Sequence, residues 1–141
     1  MSLKVLIVGG VAGGASAAAR LRRLDETAEI IIFEKGEYIS YANCGLPYYI
    51  GEVIRKKEKL IIQTPENMKK RFNIDVRVNS EVLSIDRKNK TVDVFDRTNN
   101  KIYKESYDRL ILSPGAEPVK PRLVGIDSQR IFTLRDIPDT Y

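Results

Sequence analysis

The glycine-rich segment Gly9–Gly14 (GGVAGG) is the feature of this sequence that most constrains its fold. It follows an apolar run, Leu3–Val8, with the length and continuous hydrophobicity of a buried parallel strand. It opens a stretch with helical periodicity, Gly13–Leu24, and a second buried strand is predicted at Glu29–Glu34. A strand, a helix and a strand within about 30 residues form a right-handed βαβ unit. The sequence therefore predicts an α/β fold with a parallel sheet.

The middle of the chain carries further helix and strand signals. A short helix is predicted at Leu46-Pro47, because proline suits the first helical turn. Thr64-Pro65 reads as an N-cap followed by proline, which predicts a helix ending near Phe72. Strands are expected at Ile74–Val78 and at Asp108–Ser113.

The segment Glu81–Tyr107 differs from its surroundings because its apolar residues alternate with polar ones. Lys88–Lys90 and Thr98–Asn100 are turn signals within it. This pattern predicts a three-stranded antiparallel meander inserted into the α/β pattern. The tail that follows, up to Tyr141, is rich in proline and has no strong period.

The glycine-rich loop is typical of a pyrophosphate site. The dinucleotide fingerprint places glycine at its first, third and sixth positions, and Gly9 and Gly14 fill the first and last while Val11 occupies the middle. Glu34 follows Gly14 by 20 residues, where a carboxylate accepts hydrogen bonds from ribose hydroxyls. The helix N-terminus attracts an anion. The alternative is a generic tight turn with a surface glutamate.

Bulk composition excludes several classes of function. The net charge is +5, but the basic residues are dispersed along the chain and no nucleic-acid-binding motif accompanies them, so a nucleic-acid partner is not expected. No stretch is long and apolar enough for a membrane span, and no metal site is predicted. With one cysteine no internal disulfide framework is possible, which favours a reducing cytoplasm.

That single cysteine, Cys44, lies in the segment SYANCGLP, between Asn43 and Gly45. A lone thiol shortly after a dinucleotide site indicates redox chemistry between a cofactor and sulfur. The alternative is a buried, inert cysteine, since free cysteine is often buried.

Three segments together carry a family resemblance: GGVAGGASAAARLRRLDE, FEKGEYISYANCGLPYYIGE and YDRLILSPGAEP. They resemble the single-cysteine branch of the FAD-dependent pyridine nucleotide-disulfide oxidoreductases. Within that branch they are most similar to CoA-disulfide reductases and to related NADH oxidases and polysulfide reductases. The resemblance runs from Leu3 to about Tyr141.

The resemblance implies a Rossmann-like FAD-binding domain in which the meander is an insert. It implies that Cys44 is the redox-active nucleophile, which attacks a disulfide after NADH or NADPH has reduced the flavin. The implied cofactor-binding residues are Gly9, Val11, Ala12, Gly13, Gly14, Glu34, Lys35, Ser113 and Gly115.

A basic face of the first helix is the candidate substrate site. Ser16, Arg20 and Arg23 recur at positions i, i+4 and i+7 and therefore share one face. The resemblance implies that they line a coenzyme A channel together with Ser40 and Asn43, with arginine pairing with phosphate. Glutamine is common in the family where Arg20 stands. The alternative is a solvated helix face.

Two absences narrow the expected chemistry. Ile39 and Tyr49 flank Cys44 at a distance of five residues, so the CxxxxC pair of dithiol reductases is missing. The sequence also has no histidine, which disfavours peroxidase chemistry and favours reduction of a disulfide or polysulfide.

Residues 1–141 are expected to be the incomplete N-terminal segment of the FAD domain, inactive alone. The resemblance implies a longer homodimeric parent with separate NAD(P)H and dimerisation domains. The alternatives are an NADH oxidase of the same family and a non-catalytic nucleotide-binding module.

Overall fold

The computed structural model describes residues 2–141. The strands are β1 (Lys4–Val8), β2 (Glu29–Phe33), β3 (Asp75–Arg77), β4 (Ser80–Asp86), β5 (Thr91–Asp96), β6 (Lys101–Ser106) and β7 (Arg109–Leu112). The helices are α1 (Ala12–Leu24), α2 (Leu46–Ile50) and α3 (Pro65–Phe72). Short 3-10 turns cover Asn43–Gly45, Lys57–Lys59 and Pro138–Thr140. Each predicted strand and helix is present, with bounds that differ by a few residues.

Among residues 2–141, a four-stranded sheet has the order β3-β2-β1-β7, and its strands all run parallel. Val5 of β1 pairs with Ile30 of β2 on one side and with Arg109 of β7 on the other. Leu6 and Ile7 are fully buried, as expected for a strand covered on both faces. The predicted α/β fold with a parallel sheet is confirmed.

The two faces of the parallel sheet bury different side chains, because successive residues of a strand point to opposite sides. On one face the sheet packs with α1 and α3 through Val5, Ile7, Ile30, Ile32, Ala18 and Met68. On the other face it packs with β5 through Leu6, Ile31, Phe33, Val92 and Val94. The parallel sheet therefore lies between helices and the second sheet.

That second sheet has the order β4-β5-β6 and is antiparallel, so the predicted meander is confirmed. The β4–β5 register shifts between Val82 and Ser84, where a bulge interrupts the ladder. Its two hairpin turns are built alike. The Asp86 carboxylate accepts hydrogen bonds from the amides of Lys88 and Asn89, each 3.0 Å long. In the hairpin between β5 and β6, the Asp96 carboxylate accepts hydrogen bonds from the amides of Thr98 and Asn99 in the same way.

Helix α3 begins and ends as its sequence predicts. The Thr64 hydroxyl accepts a hydrogen bond of 3.2 Å from the Asn67 amide, as an N-cap does. The helix ends at Asn73, which adopts a left-handed conformation with φ of 48°.

One arginine joins the ends of three elements. In the described chain, the Arg22 guanidinium donates to the backbone carbonyls of Phe72, Asp25, Glu26, Ala28 and Asn73. These carbonyls lie at the end of α3, after α1 and before β2. Arg22 is therefore a structural cross-link, which no local sequence pattern indicated.

The chain divides into two compact units. The first contains both sheets and covers the chain up to Tyr41 together with Gln63–Pro114, and the second covers Ala42–Ile62 and Gly115–Tyr141. In the second unit α2 packs against the turn at Pro138–Thr140, and Ile137 is fully buried. No helix within residues 2–141 has the length and hydrophobicity needed to cross a bilayer.

Candidate functional site

Two glycines at the junction of β1 and α1, one in the turn and one in the first turn of the helix, have no space for a side chain. A Cβ atom on Gly9 would lie 2.0 Å from the Ser113 carbonyl oxygen, and one on Gly14 would lie 1.7 Å from the Gly9 carbonyl oxygen. Gly9 also has a φ of +95°, a left-handed conformation that favours glycine. The geometry therefore requires glycine at the first and last positions of the predicted fingerprint.

Gly10 and Gly13 are also close to neighbouring side chains. A Cβ atom on Gly10 would lie 2.8 Å from Ile39 Cγ2, and one on Gly13 would lie 3.2 Å from Ser113 Oγ. Val11 precedes α1, and Ala12 begins it. Because a valine side chain has no acceptor, Val11 caps none of the first N–H groups of α1, and these donors are suited to an anion.

The predicted ribose-binding acid, Glu34, follows β2 and is only 9% exposed. Its Oε2 accepts a hydrogen bond of 2.8 Å from the Gly10 amide, and its Oε1 accepts one of 2.9 Å from the Gly36 amide. A carboxylate has about four acceptor positions, so both oxygens retain capacity for hydroxyl donors. The carboxylate is thus fixed against the glycine loop, a contact that the sequence did not indicate.

A cleft of about 190 Å³ lies beside this carboxylate, at the carboxyl ends of β1 and β2. Gly9, Glu34 and Lys35 line it, so the structure brings three of the predicted cofactor-binding residues together. Ser80 and Val82 of β4 line it as well. The sequence analysis named neither residue, because Ser80 precedes the predicted meander, Val82 lies inside it, and no local pattern connects either to a cofactor. The location agrees with the general rule that open parallel sheets bind ligands beyond their strand ends.

Two predicted site serines contact the glycine loop or its strand through their backbones. The Ser113 amide donates to the Val8 carbonyl at 2.8 Å, and the Ser40 amide donates to the Gly10 carbonyl at 2.9 Å. Gly115 belongs to the second unit and has a φ of +74°. A Cβ atom there would lie 2.9 Å from Nη2 of Arg135, so this position also suits glycine.

The predicted substrate residues of α1 are exposed. Ser16, Arg20 and Arg23 lie on the solvent-accessible part of the helix. The neighbouring Arg22 instead points its guanidinium to the backbone carbonyls described above. The arginines at 20 and 23 are therefore available to a ligand, and the solvated-face alternative remains open.

The single thiol, Cys44, is exposed and lies in the 3-10 turn Asn43–Gly45, directly before α2. The expectation of a buried thiol, one part of the alternative, is wrong. Gly45 in this turn packs closely on Leu60, since a Cβ atom on Gly45 would lie 2.8 Å from Leu60 Cδ2. The half-buried Asn43 donates from its side-chain Nδ2 to the Arg135 carbonyl at 3.4 Å, a contact that its sequence position did not indicate.

A group of charged residues outside the cleft connects β1 and β3 of the parallel sheet to β6 of the second sheet. Glu105 of β6 accepts hydrogen bonds from Lys4 Nζ at 2.6 Å and from Arg77 Nη1 at 2.7 Å. Burial alone would raise the pKa of Glu105, but these two hydrogen bonds lower it overall. Burial alone would lower the pKa of Arg77, but hydrogen bonds with Tyr103 and Glu105 raise it overall. Residues 2–141 contain no cluster of three or more side chains suited to a metal ion.

The comparison with known families identifies the chain. Residues 3–141 match the family model for pyridine nucleotide-disulphide oxidoreductases. The chain belongs to this family. The predicted family is therefore confirmed. The predicted fold class, a parallel sheet with a separate three-stranded antiparallel sheet, is confirmed as well.

Individual oxidoreductases of this family are similar over nearly all of the chain. Coenzyme A disulfide reductase of Staphylococcus haemolyticus is 46% identical over 97% of this chain, which corresponds to 30% of that protein. The crystal structure of reduced Bacillus anthracis CoADR-RHD superposes with a TM-score of 0.95 at 59% identity, covering 99% of this chain and 25% of that one. An NAD-dependent persulfide reductase from A. fulgidus superposes with a TM-score of 0.91 at 36% identity, covering 98% of this chain and 26% of that one. The chain thus spans about a third or less of these relatives.

Proposed function

We propose that the full-length protein is an FAD-dependent oxidoreductase that uses NADH or NADPH to reduce coenzyme A disulfide. The observation that carries this proposal is the exposed Cys44 in the turn before α2, on a chain that also holds a dinucleotide-type glycine loop. The similarity to coenzyme A disulfide reductases supports the choice of substrate.

The residues of the loop and the cleft fit FAD. Gly9 and Gly14 bring the backbone close to where a pyrophosphate would lie, beside Val11, Ala12 and Gly13. Glu34 and Lys35 border the cleft of about 190 Å³, where the adenosine ribose would bind. We assign Ser113 and Gly115 to the same cofactor. When bound, FAD supplies two-electron transfer between a nicotinamide and sulfur.

Cys44 supplies the nucleophile in this proposal. Its thiolate attacks one sulfur of coenzyme A disulfide, the S–S bond breaks, and a coenzyme A thiolate leaves and takes a proton from water. A mixed disulfide between Cys44 and the second coenzyme A forms. Two electrons from NADH or NADPH and one proton then return the Cys44 thiolate and release that coenzyme A.

The exposed face of α1 is the proposed place for the coenzyme A phosphates. Arg20 and Arg23 are the cations of this face, and arginine pairs with phosphate through two parallel hydrogen bonds. Ser16, Ser40 and Asn43 would complete the substrate-binding set. The side-chain amide of Asn43 has a second N–H and an oxygen beyond its bond to the Arg135 carbonyl.

A related acceptor is the second candidate, because a persulfide reductase is among the similar structures. The thiolate of Cys44 attacks a persulfide or polysulfide sulfur by the same chemistry as a disulfide sulfur. The two candidates share every residue assignment in the cofactor site. They differ in whether the basic face of α1 contributes to substrate binding.

The test is to purify the full-length protein, record its visible spectrum and add NADH or NADPH without oxygen. We expect a flavin spectrum that bleaches, and reoxidation by coenzyme A disulfide that is faster than reoxidation by oxygen. Preference for polysulfide or for oxygen would select the related reductase or oxidase instead. A colourless protein that binds nucleotide but accepts no electrons would be a nucleotide-binding module, and the proposal would be wrong.

A further inference from the structure

Arg77, the last residue of β3, contacts two of the residues that hold the glycine loop. Its carbonyl accepts a hydrogen bond of 2.9 Å from the Glu34 amide. Its guanidinium lies over the ring of Phe33, 5.5 Å from the ring centroid, in the range of a cation–π contact. Arg77 therefore acts on two consecutive residues at the end of β2.

Those two residues in turn hold the first two glycines of the loop. The Phe33 carbonyl accepts a hydrogen bond of 2.8 Å from the Gly9 amide. The Glu34 carboxylate accepts one of 2.8 Å from the Gly10 amide. A continuous set of contacts thus runs from Arg77 through β2 to the loop that opens α1.

The guanidinium itself is held by groups from two strands. Asp75 Oδ2 accepts from Nε at 2.9 Å, and Glu105 Oε2 accepts from Nη1 at 2.7 Å. The Tyr103 hydroxyl lies 3.1 Å from the same Nη1, and the Tyr103 ring centroid is 5.8 Å from the guanidinium carbon. The Arg77 side chain is 30% exposed, and these contacts hold its guanidinium on the meander side of β3.

We propose that Arg77 is a positioning residue for the adenosine and pyrophosphate end of the nucleotide cofactor. This inference rests on the proposed function, since it assumes that the cleft binds FAD. Arg77 does not line the cleft. Its guanidinium fixes Phe33, whose carbonyl holds the Gly9 amide, while its backbone carbonyl holds the Glu34 amide in every side-chain variant. The loop amides are therefore already in place when the nucleotide binds, and a substitution at position 77 removes only the contact through Phe33.

A purely structural role would give a different result. Loss of a structural contact lowers the free energy of unfolding but leaves the affinity of the folded protein for a ligand unchanged. Loss of a positioning contact weakens binding in protein that is fully folded, because binding must then also order the loop. The affinity of folded apoprotein for an adenine nucleotide therefore distinguishes a positioning role of Arg77 from a purely structural one.

The experiment measures ADP and FAD binding by calorimetry to apoprotein prepared from the full-length protein. We expect Arg77→Met to weaken both affinities about tenfold, which corresponds to about 1.4 kcal/mol. Cys44 in the second unit should be alkylated by iodoacetamide at an unchanged rate in this variant. Arg77→Lys, which keeps the charge but loses the planar guanidinium, should give an intermediate loss.

Two control variants make the test specific. Lys104→Met removes an exposed ion pair with Asp93 on the same meander, and should leave ADP binding unchanged. Arg22→Lys destabilises the same unit through contacts away from the cleft, and should also leave ADP binding unchanged.

Unchanged ADP affinity in folded Arg77→Met would overturn the proposal, as would an equal loss of affinity in Arg22→Lys. If Arg77→Met does not fold, Arg77→Lys decides by the same criterion. If the wild-type apoprotein binds neither ADP nor FAD, the proposed function itself has failed. Nucleotide binding that is indifferent to Arg77 would refute this inference alone.

Discussion

Replacing Arg22 by alanine should destabilise the chain by about 3 kcal/mol. The half-buried bonds from its guanidinium to the Phe72 and Ala28 carbonyls are each 2.7 Å long. Hydrogen bonds from a charged group contribute about 1.5 kcal/mol or more each, so these two account for the loss. The exposed carbonyls of Glu26 and Asn73 gain water when the guanidinium is removed and add little. The bond to the Asp25 carbonyl is longer, at 3.1 Å, and is left out of this sum.

The assay is urea unfolding of the 141-residue chain followed by far-ultraviolet circular dichroism. With a slope of about 1.5 kcal/mol per molar urea, the midpoint should fall by about 2 M. Arg22→Lys keeps a donor in this position and should lose about half as much. The adjacent Arg23 is exposed, so Arg23→Ala should change stability by less than about 0.5 kcal/mol. Equal midpoints for Arg22→Ala and Arg23→Ala would refute the reasoning.

Three further predictions concern the loop, the charged cluster and the substrate face. Gly14→Ala should cost about 3 kcal/mol or more, because its Cβ would overlap a backbone carbonyl, whereas Gly51→Ala, with its nearest atom at 3.4 Å, should be tolerated in the same urea assay. The pKa of Glu105 is lower in the folded protein than in the unfolded chain. The ionised carboxylate therefore contributes fully to the free energy of unfolding above its unfolded pKa of about 4.3, and this contribution is lost as the pH falls through the folded pKa. The stability difference between wild type and Glu105→Gln should therefore shrink on acidification, and a constant difference would contradict this. Arg23→Ala should raise KM for coenzyme A disulfide about tenfold without slowing flavin reduction by NADH. An unchanged KM would show that Arg23 on the exposed face of α1 does not bind the substrate.

The parts of the fold that the sequence predicted are those fixed by local rules. Apolar runs of strand length predicted the parallel sheet, and turn residues between alternating segments predicted the meander. Thr64 followed by proline predicted the start of α3, and the Thr64 side chain caps it as expected. The spacing from Gly14 to Glu34 predicted a carboxylate for the ribose hydroxyls, and the structure adds a bond from the Gly10 amide to that carboxylate, which the spacing did not predict.

The parts that the sequence did not predict depend on contacts between distant segments. Arg22 meets the Phe72 carbonyl across 50 positions, and Arg77 meets Glu105 across 28. Arg22 does not differ in local pattern from the exposed Arg23, and nothing in the sequence around Arg77 indicates a partner, so periodicity gave no reason to select either. The contribution of Val82 to the cleft depends on how the meander packs on the parallel sheet. Such contacts follow from tertiary structure and not from any period in the sequence.

The proposed role of Cys44 is tested most directly by the covalent product of its reaction. The full-length protein, reduced and freed of reductant, is mixed with coenzyme A disulfide and mapped by peptide mass spectrometry. We expect one coenzyme A on Cys44, removed by dithiothreitol, and no adduct at this position in Cys44→Ser, which should still bind FAD. A wild-type Cys44 that stays unmodified while coenzyme A disulfide is reduced would contradict the proposal, as would a Cys44→Ser variant with full activity.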